Sequence, residues 1–474
     1  MQTEPVFAAR TAGSWEDSGM ANARQEDKVR RFGPYWLLRC LGSSGNGEHW
    51  LGCRADDLSE RSICAIKRPR PNTLVEPESL QRFVDEVRIT DLLDHPVIGN
   101  VLDAGSVDGE PYFVLEYTEG KSLAHCLRTL REMGKSFPLP LAIHLGIKVC
   151  GALAYAHRLT GPGGRPLHLV HRDVCPSSLI IAYAGYIKLI DFGKASSRLR
   201  EAQTMPGRKL EDVTYQSPEY LNGKPVDGRS DVFSLGVVLW ELCSGISPEM
   251  SRTDRDVWLK SGRARFVSPS KHRKGVPPQL DYIIMRAVSS DPRERYQSAE
   301  ELGRELKALL EQLAPGWEQN AQLQMSQFMR SMFESVWLDE RRRTLRALQS
   351  VQKKAAARAR RREEAAEEPE EMEPGMVELI GDDEMDSFDE SEPFTAPGIA
   401  AGPRRRSSKG SDGRRRSSKR MNKVHRRDGT QLDNLSPEQT LEARKDLLRV
   451  FGMVVGLSLL IAVALIVIWS LVKQ

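Results

Sequence analysis

The cluster Gly42-Ser43-Ser44-Gly45-Asn46-Gly47 lies between two strand-like stretches. Glycine there lets backbone N–H groups close on a phosphate, because no Cβ stands in the way. Read alone, the cluster fits a plain hairpin turn as well, and Lys67, ending the apolar run Cys64-Ala65-Ile66, is equally open. Two acidic sites narrow the choice: Asp173 within His171-Arg172-Asp173, and Asp191 within Asp191-Phe192-Gly193. Between them the text LIIAYAGYIKLI reads as two short strands around a turn, which would return Asp191 to the site of Asp173.

With these motifs in this order, the chain resembles the eukaryotic-like protein kinases of bacteria. Further matches follow downstream: Ser217-Pro218-Glu219, the run from Asp231 to Gly236, then Asp291-Pro292 and Arg295. The resemblance implies an α+β bilobal fold, a small β-rich N-lobe (32–118) and a large helical C-lobe (119–312), acting as a Ser/Thr kinase on protein substrates with ATP and Mg2+ or Mn2+. It implies that Gly42 and Gly47 cover the phosphates and that Lys67, held by Glu86, contacts them. Glu116, Tyr117 and Thr118 become the hinge, Ala65 and Ile180 sandwich the adenine, and Leu115 is the gatekeeper. Asp173 becomes the residue that orients the substrate hydroxyl and accepts its proton. Asp191, with Ser178, becomes the metal site. Arg295 should pair with Glu219, and Arg172 should offer a basic pocket to a phosphorylated loop, with Thr204 the favoured position.

Several positions depart from the family pattern. The second loop glycine is Ser44, and the valine that covers adenine is His49. The lysine two residues after the catalytic aspartate is Cys175, and the metal-binding asparagine is Ser178. The threonine that bonds the catalytic aspartate is Asp212. A serine hydroxyl is shorter than a carboxamide and a weaker ligand for a hard cation. Two classes therefore fit: a kinase of reduced activity, and a pseudokinase scaffold that binds nucleotide or partner proteins. Ser178 divides them, while Lys67, Glu86, Asp173 and Asp191 all stand.

The elements that must position these residues lie in 32–312, the part with globular composition. Residues 1–30 and 363–435 are charged and poor in apolar side chains, too poor to offset chain entropy. The net charge of +4 conceals an acidic stretch, Glu363 to Glu392, and a basic one, Arg404 to Arg427. No nucleic-acid partner is expected; the basic stretch suits anionic lipid. Seven cysteines without metal-ligand spacing read as reduced thiols, and the N-terminus has no apolar run for a signal peptide.

After the kinase-like region, Met325, Phe328, Met329, Met332, Phe333, Val336 and Trp337 recur at helical spacing. The pattern gives a helix over 316–362, apolar stripe first and charged half after, fraying into the acidic stretch. The stripe suits packing on its own domain, self-association or another partner. Arg404-Arg405-Arg406-Ser407-Ser408 and Arg414-Arg415-Arg416-Ser417-Ser418 repeat a phosphorylatable basic pattern, so the tail is itself a candidate substrate. A capping box at Ser436 to Gln439 begins a juxtamembrane helix (436–449). Val450 to Val472 carries no charge and spans roughly 34 Å as a helix, enough to cross a bilayer. Basic residues upstream put the kinase region in the cytoplasm, as a single-pass C-terminal anchor.

Overall fold

The computed structural model describes residues 29–44, 47–70, 77–161, 163–192, 214–248 and 265–367. The 194–211 loop with Thr204, the Asp212 position, the basic repeats, the juxtamembrane helix and the 450–472 span lie outside them.

Between residues 30 and 116 the chain forms an antiparallel sheet that buries Phe32, Tyr35, Trp50, Ile66 and Val114. Its strands are β1 (Arg30–Phe32), β2 (Tyr35–Ser44), β3 (Gly47–Arg54), β4 (Ile63–Arg68), β5 (Val101–Val107) and β6 (Glu110–Glu116), in the order β1-β2-β3-β4-β6-β5. Between β4 and β5 runs α1 (Pro77–Asp91), which buries Phe83 and Val87 against Phe113. This is the N-lobe.

The chain then crosses through Tyr117 and Thr118 into β7 (Gly120–Ser122), which pairs with β8 (Leu179–Ala182) and β9 (Ile187–Leu189) in a second small sheet. Strands β8 and β9 with their turn are the two strands read from LIIAYAGYIKLI. Ser122 caps α2 (Leu123–Glu132) by accepting the His125 N–H at 3.2 Å.

The C-lobe core is built on α3 (Leu139–His157) and α5 (Gly228–Ser244), with the short α4 (Pro218–Leu221) between them in sequence. Asp227 caps α5, and Gly245 ends it at φ 77°, where a left-handed residue closes the last turn. Helices α6 (Pro278–Ala287) and α7 (Ala299–Leu313) pack around this pair. Among the described residues only α3 is long and apolar enough to cross a membrane, and most of it is buried in this core. None of the seven cysteines forms a disulfide.

The last helix, α8 (Ala321–Glu367), goes further than its sequence pattern. It begins after a 3-10 turn at Trp317–Asn320 and runs to Glu367, the last described residue. Its first half is where the apolar stripe lies: Met325, Met329 and Phe333 are buried in the C-lobe core, and Phe328 stacks edge-on against Phe137 at 4.9 Å. Ser326 donates to the Tyr183 carbonyl at 2.7 Å, and the helix backbone comes so close to Gly185 that a Cβ there would lie 2.0 Å from the Gln322 carbonyl oxygen. The stripe packs on its own domain.

Its charged half docks too. Leu348 and Val351 are buried with Trp36, Leu38, Leu51 and Cys53 of the N-lobe sheet, and Tyr117 packs against the same cluster. Glu340 pairs with buried Lys121 at 2.8 Å, while Gln352 and Lys354 donate to the Leu58 and Val29 carbonyls, each at 2.9 Å. One helix thus fastens the C-lobe, the hinge and the N-lobe. Burial of the two aliphatic side chains contributes about 1.5–3 kcal/mol each.

Candidate active site

Lys67 is carried by β4, in which Cys64, Ile66 and Lys67 itself are buried while Ala65 stays half-exposed. An ammonium buried to this degree demands a partner. It has two: Glu86 Oε1 on α1 at 2.5 Å and Asp191 Oδ1 at 3.2 Å. Burial would push the Lys67 pKa down, but the two carboxylates outweigh it and hold it above the ordinary lysine range. The Phe113 ring lies 5.5 Å from its Nζ.

His49 pairs with Lys67 across β3 and β4 and is buried. Burial first, then the Lys67 charge, lowers its pKa to about 3, so its ring stays neutral beside the lysine. Gly42 follows a bulge in β2. At Gly47 a Cβ would lie 2.4 Å from the Arg68 carbonyl oxygen, so the loop closes on β4 only with glycine there.

The loop that carries Asp173 hangs from α5. The buried Asp231 carboxylate accepts the backbone N–H groups of His171 and Arg172, each at 2.9 Å, and a hydrogen bond from His157 at 2.7 Å. Burial raises the Asp231 pKa, yet the His157 bond and neighbouring donors more than offset it and leave it below the usual range. These bonds hold Arg172 at φ 65°, and Asp191 stands at φ 68°; side chains are rarely left-handed, and such strain persists where surroundings over-determine it. His171 joins the two motifs: its Nε2 hydrogen-bonds the Ile190 carbonyl at 3.1 Å, and its ring meets Phe192 at 4.4 Å between centroids.

Ser178 turns back into its own loop. It accepts the Cys175 N–H at 3.1 Å and directs its hydroxyl at the Asp173 and Cys175 carbonyls, both at 3.0 Å. For a divalent cation the residues therefore offer one half-exposed carboxylate, Asp191, with the Ser178 hydroxyl already engaged. Among the described residues no group of three His, Cys, Asp or Glu side chains gathers into a metal cage. A cation shared with phosphate oxygens needs only one or two carboxylates, so the set fits.

The structure thus joins Lys67, Glu86 and Asp191 directly, and Asp173 to Ser178 through the loop backbone. Ala65 on β4 and Ile180 on β8 are both half-buried, one in each sheet, and Thr118 lies in the crossing between them. Three features escaped the sequence. Lys188 on β9 pairs with Glu116 at 2.7 Å and fixes the hinge. Gln216 Nε2 donates to Asp173 Oδ1 at 3.2 Å. The docked half of α8 is the third, and its only signal was Leu345, Leu348 and Val351 recurring among arginines. The pairing of Arg295 with Glu219 is present, at 2.7 Å and 2.8 Å, with Arg295 fully buried.

A strand-rich lobe and a helical lobe, with a buried lysine bridged to two carboxylates between them, define the protein-kinase class of nucleotide cleft. The chain belongs to that family: the Protein kinase domain matches it over residues 37–313. It is 32% identical over 316 residues to the tyrosine-protein kinase MasK of Myxococcus xanthus, covering 66% of this chain and 48% of that protein. It is 31% identical over 278 residues to the serine/threonine-protein kinase PrkC of Bacillus subtilis, covering 59% of this chain and 41% of that protein. Mycolicibacterium smegmatis PknB, a serine/threonine-protein kinase, matches at 32% over 287 residues, 59% of this chain and 44% of its own. The chain spans about half or less of the length of these relatives. The solved PknI kinase domain of Mycobacterium tuberculosis covers 59% of this chain and 97% of its own, at 26% identity and a TM-score of 0.45.

Proposed function

We propose that this chain is a membrane-held Ser/Thr protein kinase that transfers the ATP γ-phosphate to protein hydroxyls at the cytoplasmic face. The observation that carries the reading is the buried Lys67 held between Glu86 and Asp191. An ammonium fixed in this way is a preorganised counter-charge for the α and β phosphates. Gly42 and Gly47 cover the phosphates, the Glu116–Thr118 backbone receives adenine, and Ala65 and Ile180 close on its two faces. Asp173 orients the acceptor hydroxyl and takes its proton. The hydroxyl oxygen forms its bond to the γ-phosphorus as the bond to the bridging oxygen breaks, and ADP leaves with that electron pair. Asp191 would hold Mg2+ or Mn2+, which would supply positive charge against the phosphates.

A second reading has its own support. Ser178 is occupied by its own loop, which favours a slow kinase or a nucleotide-binding scaffold over a fast enzyme. The acceptor residue also needs a direct assignment, since relatives carry both serine/threonine and tyrosine names. The 450–472 span supplies the anchor, the 404–427 segment rests on anionic lipid, and Ser407, Ser408, Ser417 and Ser418 are candidate acceptors in the chain's own tail.

The full chain incubated with γ-labelled ATP and Mg2+ or Mn2+, then hydrolysed to phosphoamino acids, tests the reading. Phosphoserine or phosphothreonine above the Asp173→Asn background is the expected result. Phosphotyrosine alone would overturn the acceptor assignment, and no label above background would leave the scaffold. Resistance to alkaline carbonate extraction, lost on deletion of 450–474, is expected of the anchor; a deletion variant that stays on membranes would contradict it.

A further inference from the structure

We infer that Gln216 is a positioning residue for phosphoryl transfer, holding the Asp173 carboxylate through its side-chain amide. The inference deepens the kinase reading above and rests on it. Gln216 is 3% exposed and directs its amide N–H at Asp173 Oδ1 at 3.2 Å. A carboxamide buried without a partner is destabilising, so an apolar side chain would be the simpler occupant unless the bond mattered. A hydrogen bond to an ionised carboxylate is among the stronger ones available.

The segment around Gln216 is built to be rigid. Arg265 Nη1 donates to the Thr214 carbonyl at 2.7 Å, and the Tyr215 hydroxyl donates to buried Glu241 at 2.5 Å. On the other side, Ser217 donates to Ser230 at 3.0 Å, and Glu219 is locked to Arg295. Gln216 is therefore presented from a fixed backbone rather than from a loop free to follow its partner.

The two ends of Asp173 are held separately. Its backbone N–H reaches His171 Nδ1 at 3.2 Å and its carbonyl meets the Ser178 hydroxyl, so the loop fixes the main chain. Gln216 acts on the carboxylate itself. With Oδ1 held, rotation about Cβ–Cγ is restrained, and the other oxygen keeps its direction for an incoming hydroxyl proton. Such orientation decides how often a bound pair is in a reactive geometry, and it does not involve ATP.

The effect should therefore fall on turnover and spare nucleotide binding. In the full chain, Gln216→Leu is expected to lower kcat about tenfold with KM for ATP within about twofold and the Mg2+–ATP thermal shift intact. Unchanged kcat in Gln216→Leu, or a fall matched by loss of the thermal shift, overturns the inference. A wild-type rate no higher than that of Asp173→Asn overturns the kinase reading and this one together. A clear wild-type rate with Gln216→Leu unaltered overturns this one alone.

Discussion

Lys67, Glu86 and Asp191 come from a strand, a helix and a loop, 19 and 124 residues apart in sequence, and they meet through charge. Asp173, by contrast, sits in a loop held by hydrogen bonds: the Asp231 carboxylate of α5 accepts the His171 and Arg172 amides, Ser178 donates to the loop carbonyls, and Gln216 donates to the Asp173 carboxylate. The contrast explains where the departures from the family pattern fall. A buried charge without its partner is strongly destabilising, so the ionic side admits few exchanges. A hydrogen-bond donor is replaceable from another backbone position, so the loop side admits Cys175 and Ser178. His49 is a departure on the ionic side, and it leaves the charge balance alone because its ring stays neutral.

The largest effect expected from breaking this arrangement lies beneath the loop side. Glu219→Ala leaves the fully buried Arg295 guanidinium without its carboxylate, at a cost of about 3–5 kcal/mol. Urea unfolding should show the midpoint fall accordingly. A loss under about 1 kcal/mol would mean that the carbonyls of Ser289, Ser290 and Arg229 suffice for that arginine.

Next comes the strap across both lobes. Leu348→Ala should cost about 2–5 kcal/mol by opening a cavity against Trp36 and Leu51. The measurement is thermal unfolding of the full chain beside a surface control such as Gln349→Ala. Equal melting temperatures for the two variants would show that this half of α8 contributes nothing to the N-lobe.

Acid sharpens the contrast from the ionic side. Burial and the Lys67 charge hold His49 at about 3, and burial with the Lys148 charge holds His144 at about 4. Both lie below the ordinary value of 6.5, so the unfolded chain binds more protons than the fold beneath that pH. The stability they contribute is present above about pH 6.5 and declines as pH falls toward 4 and 3, by about 1.4 kcal/mol per pH unit for each group. His49→Gln should flatten the decline. A melting temperature constant from pH 6.5 to 4.5 would contradict the burial of these rings.

The smallest effect belongs to Ser178. Ser178→Asn adds a cation ligand while keeping a group that can cap the loop, and the transfer rate is expected to rise about two- to fivefold. An unchanged or lower rate would assign Ser178 to the loop cap alone.

Much of the bilobal fold was legible because its motifs are local strings: His171-Arg172-Asp173, Asp191-Phe192-Gly193 and Ser217-Pro218-Glu219 need no tertiary knowledge to be seen. The pairing of Arg295 with Glu219 was legible only through the resemblance, since 76 residues part them. Gln216 was not legible, because its partner lies 43 residues away and the same string would suit any polar residue. The α8 strap failed for another reason. The 3.6-residue period ended at Trp337, and the aliphatic residues beyond it are too few among charges to announce a buried face. Long arginine and lysine stems flank that face without disturbing it, and Arg358 lies over the Trp36 ring at 5.7 Å.

The central claim is that the Lys67 cluster serves the nucleotide and the Asp173 loop serves transfer. Measuring both quantities on the same preparations tests it most directly: the thermal shift given by millimolar Mg2+–ATP, and label transfer from ATP, for the wild-type chain, Lys67→Met and Asp173→Asn. Mass action predicts stabilisation wherever nucleotide binds only the fold. The account predicts a shift and transfer in the wild type, a reduced shift and no transfer in Lys67→Met, and an intact shift without transfer in Asp173→Asn. No shift in the wild type, or an Asp173→Asn chain that still transfers label at the wild-type rate, would contradict it.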